Sequence, residues 1–205
     1  MMALIALLVG GFFGTFTTLL VIAFSIVAAL GFGGYAGFPL TSVTTSSPII
    51  ILTVAVANCI HLLVTFIHGM HMGESKTEAM EESLRINLQP VFLASATTAI
   101  GFLTMNFSEV PPFGHLGSIV SIGVLISFIL TISFLPAVIT LLPVRVKATS
   151  EDDSTAMGRL ADFVIARRRS LLWVNLIIIL AIVANLPRNE LNDVFVHYFG
   201  KETQF

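Results

Sequence analysis

The sequence predicts an all-α fold, a polytopic bundle of transmembrane helices, and three observations carry the prediction. Hydrophobic residues make up 56% of the chain and charged residues 11%, against about 25% charged in soluble domains. The apolar residues gather into five runs, each near the roughly 20 residues that a helix needs to cross a bilayer core of about 30 Å. None of the runs alternates with a period of two, which disfavours a β-barrel.

Taken in order, residues 1–13 read as the end of a membrane helix whose beginning is missing, because no basic segment precedes them and an apolar span follows at once. The first full run covers 15–38 and ends in Gly31, Gly33, Gly34 and Gly37 before Pro39. The second covers 48–68, the third 90–107, the fourth 116–142 with Pro136 near its end, and the fifth 170–186, closed by Pro187. The expected domain organisation is a bundle over 1–143, a cytoplasmic linker and amphipathic helix over 144–169, a further span over 170–187, and the start of an extramembrane domain over 188–205. No full-length internal repeat is visible.

The basic residues set the orientation. Lys76 and Arg85 lie between the second and third runs, and Arg145, Lys147, Arg159, Arg167, Arg168 and Arg169 follow the fourth. Together they are eight of the ten basic residues; only Arg188 and Lys201 remain for the other side. Alternating spans put both of these segments in the cytoplasm and the loops at 38–47 and 108–115 outside. The expected location is the cell inner membrane, with multiple passes.

Two cytoplasmic segments carry helix signals. Ser75 followed by Glu78 fits a capping box, and Met80, Leu84 and Leu88 fit one stripe, so a short surface helix is expected before Pro90. Met157, Leu160, Phe163 and Val164, bordered by Arg159 and Arg167 to Arg169, predict an amphipathic interfacial helix. The net charge of −2 excludes a bulk attraction to nucleic acid. Cys59 is the single cysteine, which excludes a disulfide framework and reads as a small buried hydrophobe.

All 12 acidic residues lie in loops, linkers or the tail. The candidate site is therefore polar but uncharged. Thr53, Asn58 and His61 sit within the second run, with His68 at its cytoplasmic end, where it is expected to snorkel. Asn58 and His61 are three apart and share a helix face; both are expected to point into the bundle and hydrogen-bond a neighbouring helix. Two readings stay open for the pair: interhelical glue, or a relay or gate, since histidine is the side-chain type able to change charge near neutral pH and His61 is the one placed at depth. Ser95, Thr97 and Thr98 in the third run read either as close-packing residues or as the polar lining of a conduit. Gly10-x-x-x-Gly14 and Gly33-x-x-x-Gly37 are weak packing signals. Hydrolase, zincin and nucleotide-binding motifs are missing, so no enzyme activity is expected. His68 and His71 with Met70 and Met72 are too sparse to predict a metal, and neither metal nor cofactor is expected.

Several segments resemble a known family. Ser47-Pro-Ile-Ile-Ile-Leu through Val56-Ala-Asn-Cys-Ile-His61-Leu-Leu is similar to the fourth transmembrane helix of resistance-nodulation-division (RND) exporters, in their MMPL and hopanoid-exporter-like branches. Glu78-Ala-Met-Glu-Glu-Ser-Leu and Pro90-Val-Phe-Leu-Ala-Ser-Ala-Thr-Thr-Ala-Ile-Gly-Phe102 resemble the surface helix and fifth span. Phe113-Gly-His-Leu-Gly-Ser and Phe134-Leu-Pro-Ala-Val resemble the two ends of the sixth, and Asp193-Val-Phe-Val-His-Tyr-Phe199 the entry to a second periplasmic domain. The related sterol-sensing core has the same helices. The resemblance implies spans two to seven of a twelve-span protein, a second membrane half as partner, and proton-driven export of lipophilic or lipid-like molecules, in contact with membrane lipids; self-association stays open. The alternative is a sterol-sensing-like lipid-binding module that transports nothing. The chain departs from the family in one respect: the aspartate that many members carry in the fourth span falls on Ala57 or Asn58.

Overall fold

The structure is a computed structural model that describes residues 12–142 and 162–184. The described residues are helical, without a strand. The chain divides into two compact units, residues 1–148 and 149–205.

In the first unit, α1 (Phe12–Tyr35), α2 (Ser47–His71), α3 (Lys76–Leu103) and α4 (Pro111–Ile132) are followed by the short α5 (Phe134–Leu141). Four helices of this unit are long and apolar enough to cross a membrane. α2 and α4 occupy the middle: each touches the other and both α1 and α3. The main core joins Ile22 of α1, Val56, Cys59, Leu62, Leu63 and Phe66 of α2, Met80 of α3 and Leu135 and Ile139 of α5, with Phe128 and Leu130 of α4 packed against it.

The helix ends follow from sequence chemistry. α1 closes at Gly37, whose φ of +71° is readily adopted only by glycine. The Gly37 amide donates to the Gly34 carbonyl and the Phe38 amide to the Gly33 carbonyl at 2.9 Å, the paired bonds of a Schellman cap. Phe38 then folds back edge-on against Phe32, with centroids 6.3 Å apart. α2 ends the same way at Gly73, φ +89°, with the Glu74 amide donating to the Gly69 carbonyl at 3.2 Å. The capping box expected at Ser75 is present: its amide donates to Glu78 Oε2 at 3.0 Å and its hydroxyl accepts from the Glu78 amide.

The surface helix and the third run are one continuous helix rather than two. α3 has 28 residues, about 42 Å at 1.5 Å per residue, which exceeds the hydrocarbon core. Its charged residues all fall between Lys76 and Arg85, so the first three turns stand outside the core. Pro90 lies inside the helix, where it lacks the bond to the Ile86 carbonyl and its ring crowds that carbonyl, yet α3 continues to Leu103. Along the expected stripe, Met80 is buried, Leu84 half-buried and Leu88 exposed.

The fourth run is broken. A proline ring clashes with the carbonyl four residues earlier, and for Pro136 that is Ile132, where α4 stops. Ser133 bridges to α5 with its hydroxyl on the Ile129 carbonyl at 2.5 Å.

Contacts between loops agree with the alternating topology. Lys76 Nζ donates to the Thr140 carbonyl at 3.0 Å and to that of Leu142, capping the end of α5. The start of α3 and the end of the fourth run therefore share a side. On the other side, Phe38 stacks on His115 with centroids 4.6 Å apart.

Glycines let α4 sit among three helices. A methyl group on Gly123 would collide with Ile51 Cδ1 of α2 and lie 2.9 Å from Ala29 Cβ of α1. One on Gly117 would collide with the Phe102 carbonyl of α3. Gly33 of α1 faces Ile119, so the Gly33–Gly37 pair divides into a packing glycine and a capping glycine. Gly14 is buried, whereas Gly10 lies outside the described residues.

The second unit contributes a helical segment at 162–166 and α6 (Arg168–Val183). α6 corresponds to the fifth run. Of the predicted amphipathic helix, Phe163 and Val164 are exposed and Met157, Arg159 and Leu160 lie outside the described residues, as do the N-terminal stub at 1–11 and the tail at 185–205.

The Gly123 contact is testable. Gly123→Ala should lower stability in detergent by about 1–3 kcal/mol, the range for overpacking. Adding Ile51→Val, which removes the colliding Cδ1, should recover part of the loss in a thermal melt; no recovery would place the strain elsewhere.

Candidate functional site

The polar residues of α2 divide between two faces. Asn58 is only 2% exposed, and its side-chain amide donates to Ser95 Oγ of α3 at 3.0 Å. Ser95 is itself buried. Further along the same seam, the Ser83 hydroxyl donates to the Leu62 carbonyl at 2.7 Å. Asn87 Nδ2 donates to Thr65 Oγ1 at 2.8 Å and to the Ser83 carbonyl at 2.9 Å. The α2–α3 interface is thus laced by three polar connections, of which only the first involves residues expected from sequence. Thr65 lies seven residues after Asn58, on the same face, and that spacing was the available signal. Cys59 is buried, as expected, and lies 3.7 Å from Thr131 Oγ1 of α4.

His61 does not join this seam. It is exposed, and its ring has no hydrogen-bond partner among the described residues. The expectation that Asn58 and His61 both point into the bundle holds for Asn58 and fails for His61. Three residues advance a helix by about 300°, leaving the pair some 60° apart, and the edge of the buried face runs between them. His61 belongs instead to an outward stripe of Ile49, Thr53, Ala57, His61, Val64 and His68, all exposed and stepped by three or four residues. His61 is the fifteenth residue of the 25-residue α2, about 3 Å past its midpoint, so the imidazole lies near the middle of the span. His68 is exposed near the C-terminal end of α2, where snorkelling was expected.

The candidate conduit residues are not gathered around one channel. Thr53 and Thr97 are exposed, Thr98 is half-buried and Ser95 is buried. The threonine hydroxyls bond back to their own helices: Thr53 to the Ile49 carbonyl at 2.9 Å, Thr97 to Leu93 and Thr98 to Ala94, each at 2.7 Å. This is the usual satisfaction of a hydroxyl in a membrane helix, and each threonine leaves only acceptor capacity facing outward. No group of three or more metal-ligating side chains occurs among the described residues.

Long apolar helices, small residues at their crossings and polar connections across one seam define a polytopic α-helical membrane protein. The comparisons with known proteins narrow the class. The model of the MMPL family matches residues 2–183, and the chain belongs to that family. A protein of Methanocaldococcus jannaschii whose name calls it a membrane protein is 25% identical over 119 residues, 57% of this chain and 31% of the relative. The chain spans about a third of that relative's length. No solved structure matches it.

The Asn58–Ser95 bond predicts a measurable coupling. A double-mutant cycle of Asn58→Ala and Ser95→Ala should return about 0.6 kcal/mol, the average for polar pairs between membrane helices, with about 1.7 kcal/mol as the ceiling. Additive effects would mean that the two side chains do not interact.

Proposed function

We propose that the chain is one membrane half of an RND-type secondary exporter of lipophilic or lipid-like molecules, set in the cell inner membrane and driven by the proton gradient. In this reading the outward stripe of α2 meets a second membrane half. Substrate passage follows the rocking of helices around Asn58 and His61.

The observation that carries the proposal is the mid-span imidazole on an exposed face. A polar group placed in hydrocarbon without a hydrogen bond costs roughly 4–8 kcal/mol on water-to-cyclohexane scales, and polar residues at that depth normally face protein or a water-filled cavity. Thr53, His61 and His68 make the stripe a poor lipid contact and a good protein contact. Membership of the MMPL family supports the transporter class, and the length of the relative leaves room for a second half.

His61 is the proton-carrying candidate, because α1, α2, α4 and the part of α3 beyond Arg85 hold no Asp or Glu and His is the side-chain type that titrates near neutral pH. Asn58 is a positioning residue. Its bond to Ser95 fixes the rotation of α2 and therefore the direction in which His61 points.

One observation favours the second reading, a sterol-sensing-like lipid-binding module without transport: the site lacks a carboxylate. Export measurements distinguish the two. In proteoliposomes of the full-length protein, a lipophilic fluorescent probe should be exported on imposing a proton gradient. His61→Ala should reduce the gradient-dependent rate by about tenfold or more, within the range for losing a proton-transfer group. Asn58→Ala should shift the pH profile while leaving some transport. Full gradient-dependent export by His61→Ala would remove the relay role, and absence of export by the wild type would favour the lipid-binding module.

A further inference from the structure

The second unit carries a charged feature that the exporter reading does not use. Arg167, Arg168 and Arg169 fall where the helical segment at 162–166 gives way to α6. Arg167 breaks the helix, with φ −105° and ψ 18°. At this break the surface opens into a recess of about 400 Å³ lined by Ala166, Arg167, Arg168, Arg169 and Ser170. Two of the three guanidinium groups are held in place. Arg167 lies over the Phe163 ring, 5.5 Å from its centroid, and Arg168 Nη1 donates to the Ile165 carbonyl at 3.1 Å. No carboxylate pairs with any of the three among the described residues.

Apolar surface lies on both sides of this recess. Phe163, Val164 and Ile165 are exposed before it, and Leu172, Trp173 and Val174 after it. From Ser170 to Val183 the chain has no charged residue. The arginines thus stand at the charged start of a helix that is uncharged from Ser170 onward, the arrangement in which basic side chains meet headgroups where such a helix enters a bilayer.

We propose that Arg167, Arg168 and Arg169 form a binding site for the headgroup of an anionic phospholipid in the cytoplasmic leaflet. Guanidinium groups bind phosphate oxygens in pairs. Arg167 and Arg168 are already positioned by Phe163 and the Ile165 carbonyl, which reduces the ordering needed on binding. Three positive charges, set against the one described carboxylate of this segment at Asp162 and paired with none among the described residues, attract a net-negative headgroup and repel the ammonium of a zwitterionic one. The acyl chains then lie along the apolar start of α6.

Trp173 is the single tryptophan of the chain and lies four residues beyond Arg169, about 6 Å deeper along the helix. The 205-residue chain is reconstituted in phosphatidylcholine vesicles containing a minor fraction of phosphatidylglycerol. Bromine is carried on the chains of one lipid or the other at matched amounts, and quenching of Trp173 reports which lipid is adjacent. Brominated phosphatidylglycerol should quench about threefold or more over its bulk share, since each basic residue near an anionic surface contributes attraction of that order. The preference should fall to about one in R167Q/R168Q/R169Q, persist largely in the corresponding lysine variant, and be unaffected by R85Q. Equal quenching by the two lipids in the wild type overturns the proposal, even if the glutamine variant fails to insert. So does an unchanged preference in an inserted glutamine variant.

Discussion

The architecture depends on how closely α4 can approach its neighbours. In a bilayer the surroundings of a helix are as apolar as its partners, so burying a leucine gives no hydrophobic advantage, and helices associate through van der Waals contact and interhelical hydrogen bonds. Contact of that kind is strong only at short range. Gly117 and Gly123 supply it, because neither site has room for a single methyl group against Phe102 or Ile51. With α4 seated between α1, α2 and α3, the remaining contacts follow. Ser121 donates to the Ala99 carbonyl, Cys59 reaches Thr131, and the shared core from Val56 to Ile139 closes around them. Beyond the break at Ser133, α5 ends where Lys76 caps its last carbonyls.

Much of this was readable in advance, for identifiable reasons. Span existence follows from length and apolarity, which are local properties, and so do the capping box at Ser75 and the chain reversal near Gly37. The positive-charge asymmetry agrees with the side shared by Lys76 and Leu142. What escaped the reading depends on rotation and distance. Ser83 and Asn87 were assigned to a surface helix, because Pro90 looked like a boundary; membrane helices tolerate such a proline, and α3 runs through it. The Lys76 cap joins residues 64 and 66 positions apart, beyond the reach of any local pattern. Residues three apart share a face, which predicts His61 inward beside Asn58, yet a face has an edge, and the sequence does not mark where the edge falls.

The position of that edge gives α2 two distinct polar surfaces. The inner one, Asn58 and Thr65 with the Leu62 carbonyl, is satisfied within this bundle and fixes the rotation of the helix. The outer one, Thr53, His61 and His68, is left with unused imidazole nitrogens and hydroxyl lone pairs. A helix that served only to hold this bundle together would need the first surface and would be better off with leucine or valine on the second, as on the exposed face of α1, where Phe16, Leu19, Phe24 and Val27 meet the surroundings. The contrast between α1 and α2 argues that the two outer faces meet different environments, lipid for α1 and protein for α2.

The same division bears on the missing carboxylate. Ala57 is exposed, one turn before His61, whereas Asn58 is buried against Ser95. Of the two positions onto which the family's aspartate falls, only the first lies on the outward stripe. A carboxylate there would be neutral when loaded with a proton and negative when empty. His61 has the opposite habit, positive when loaded and neutral when empty. A relay built on His61 therefore requires a negative or strongly accepting partner at the moment of loading, and nothing on the outward stripe of α2 supplies one. The stripe itself offers threonine oxygen, alkyl groups and a second imidazole at His68 but no carboxylate, so in the proposed relay the counter-charge would come from the surface that covers it. If the proposed exporter has two membrane halves, they would divide the chemistry, this one contributing the cation and the other the anion, and neither would load a proton alone.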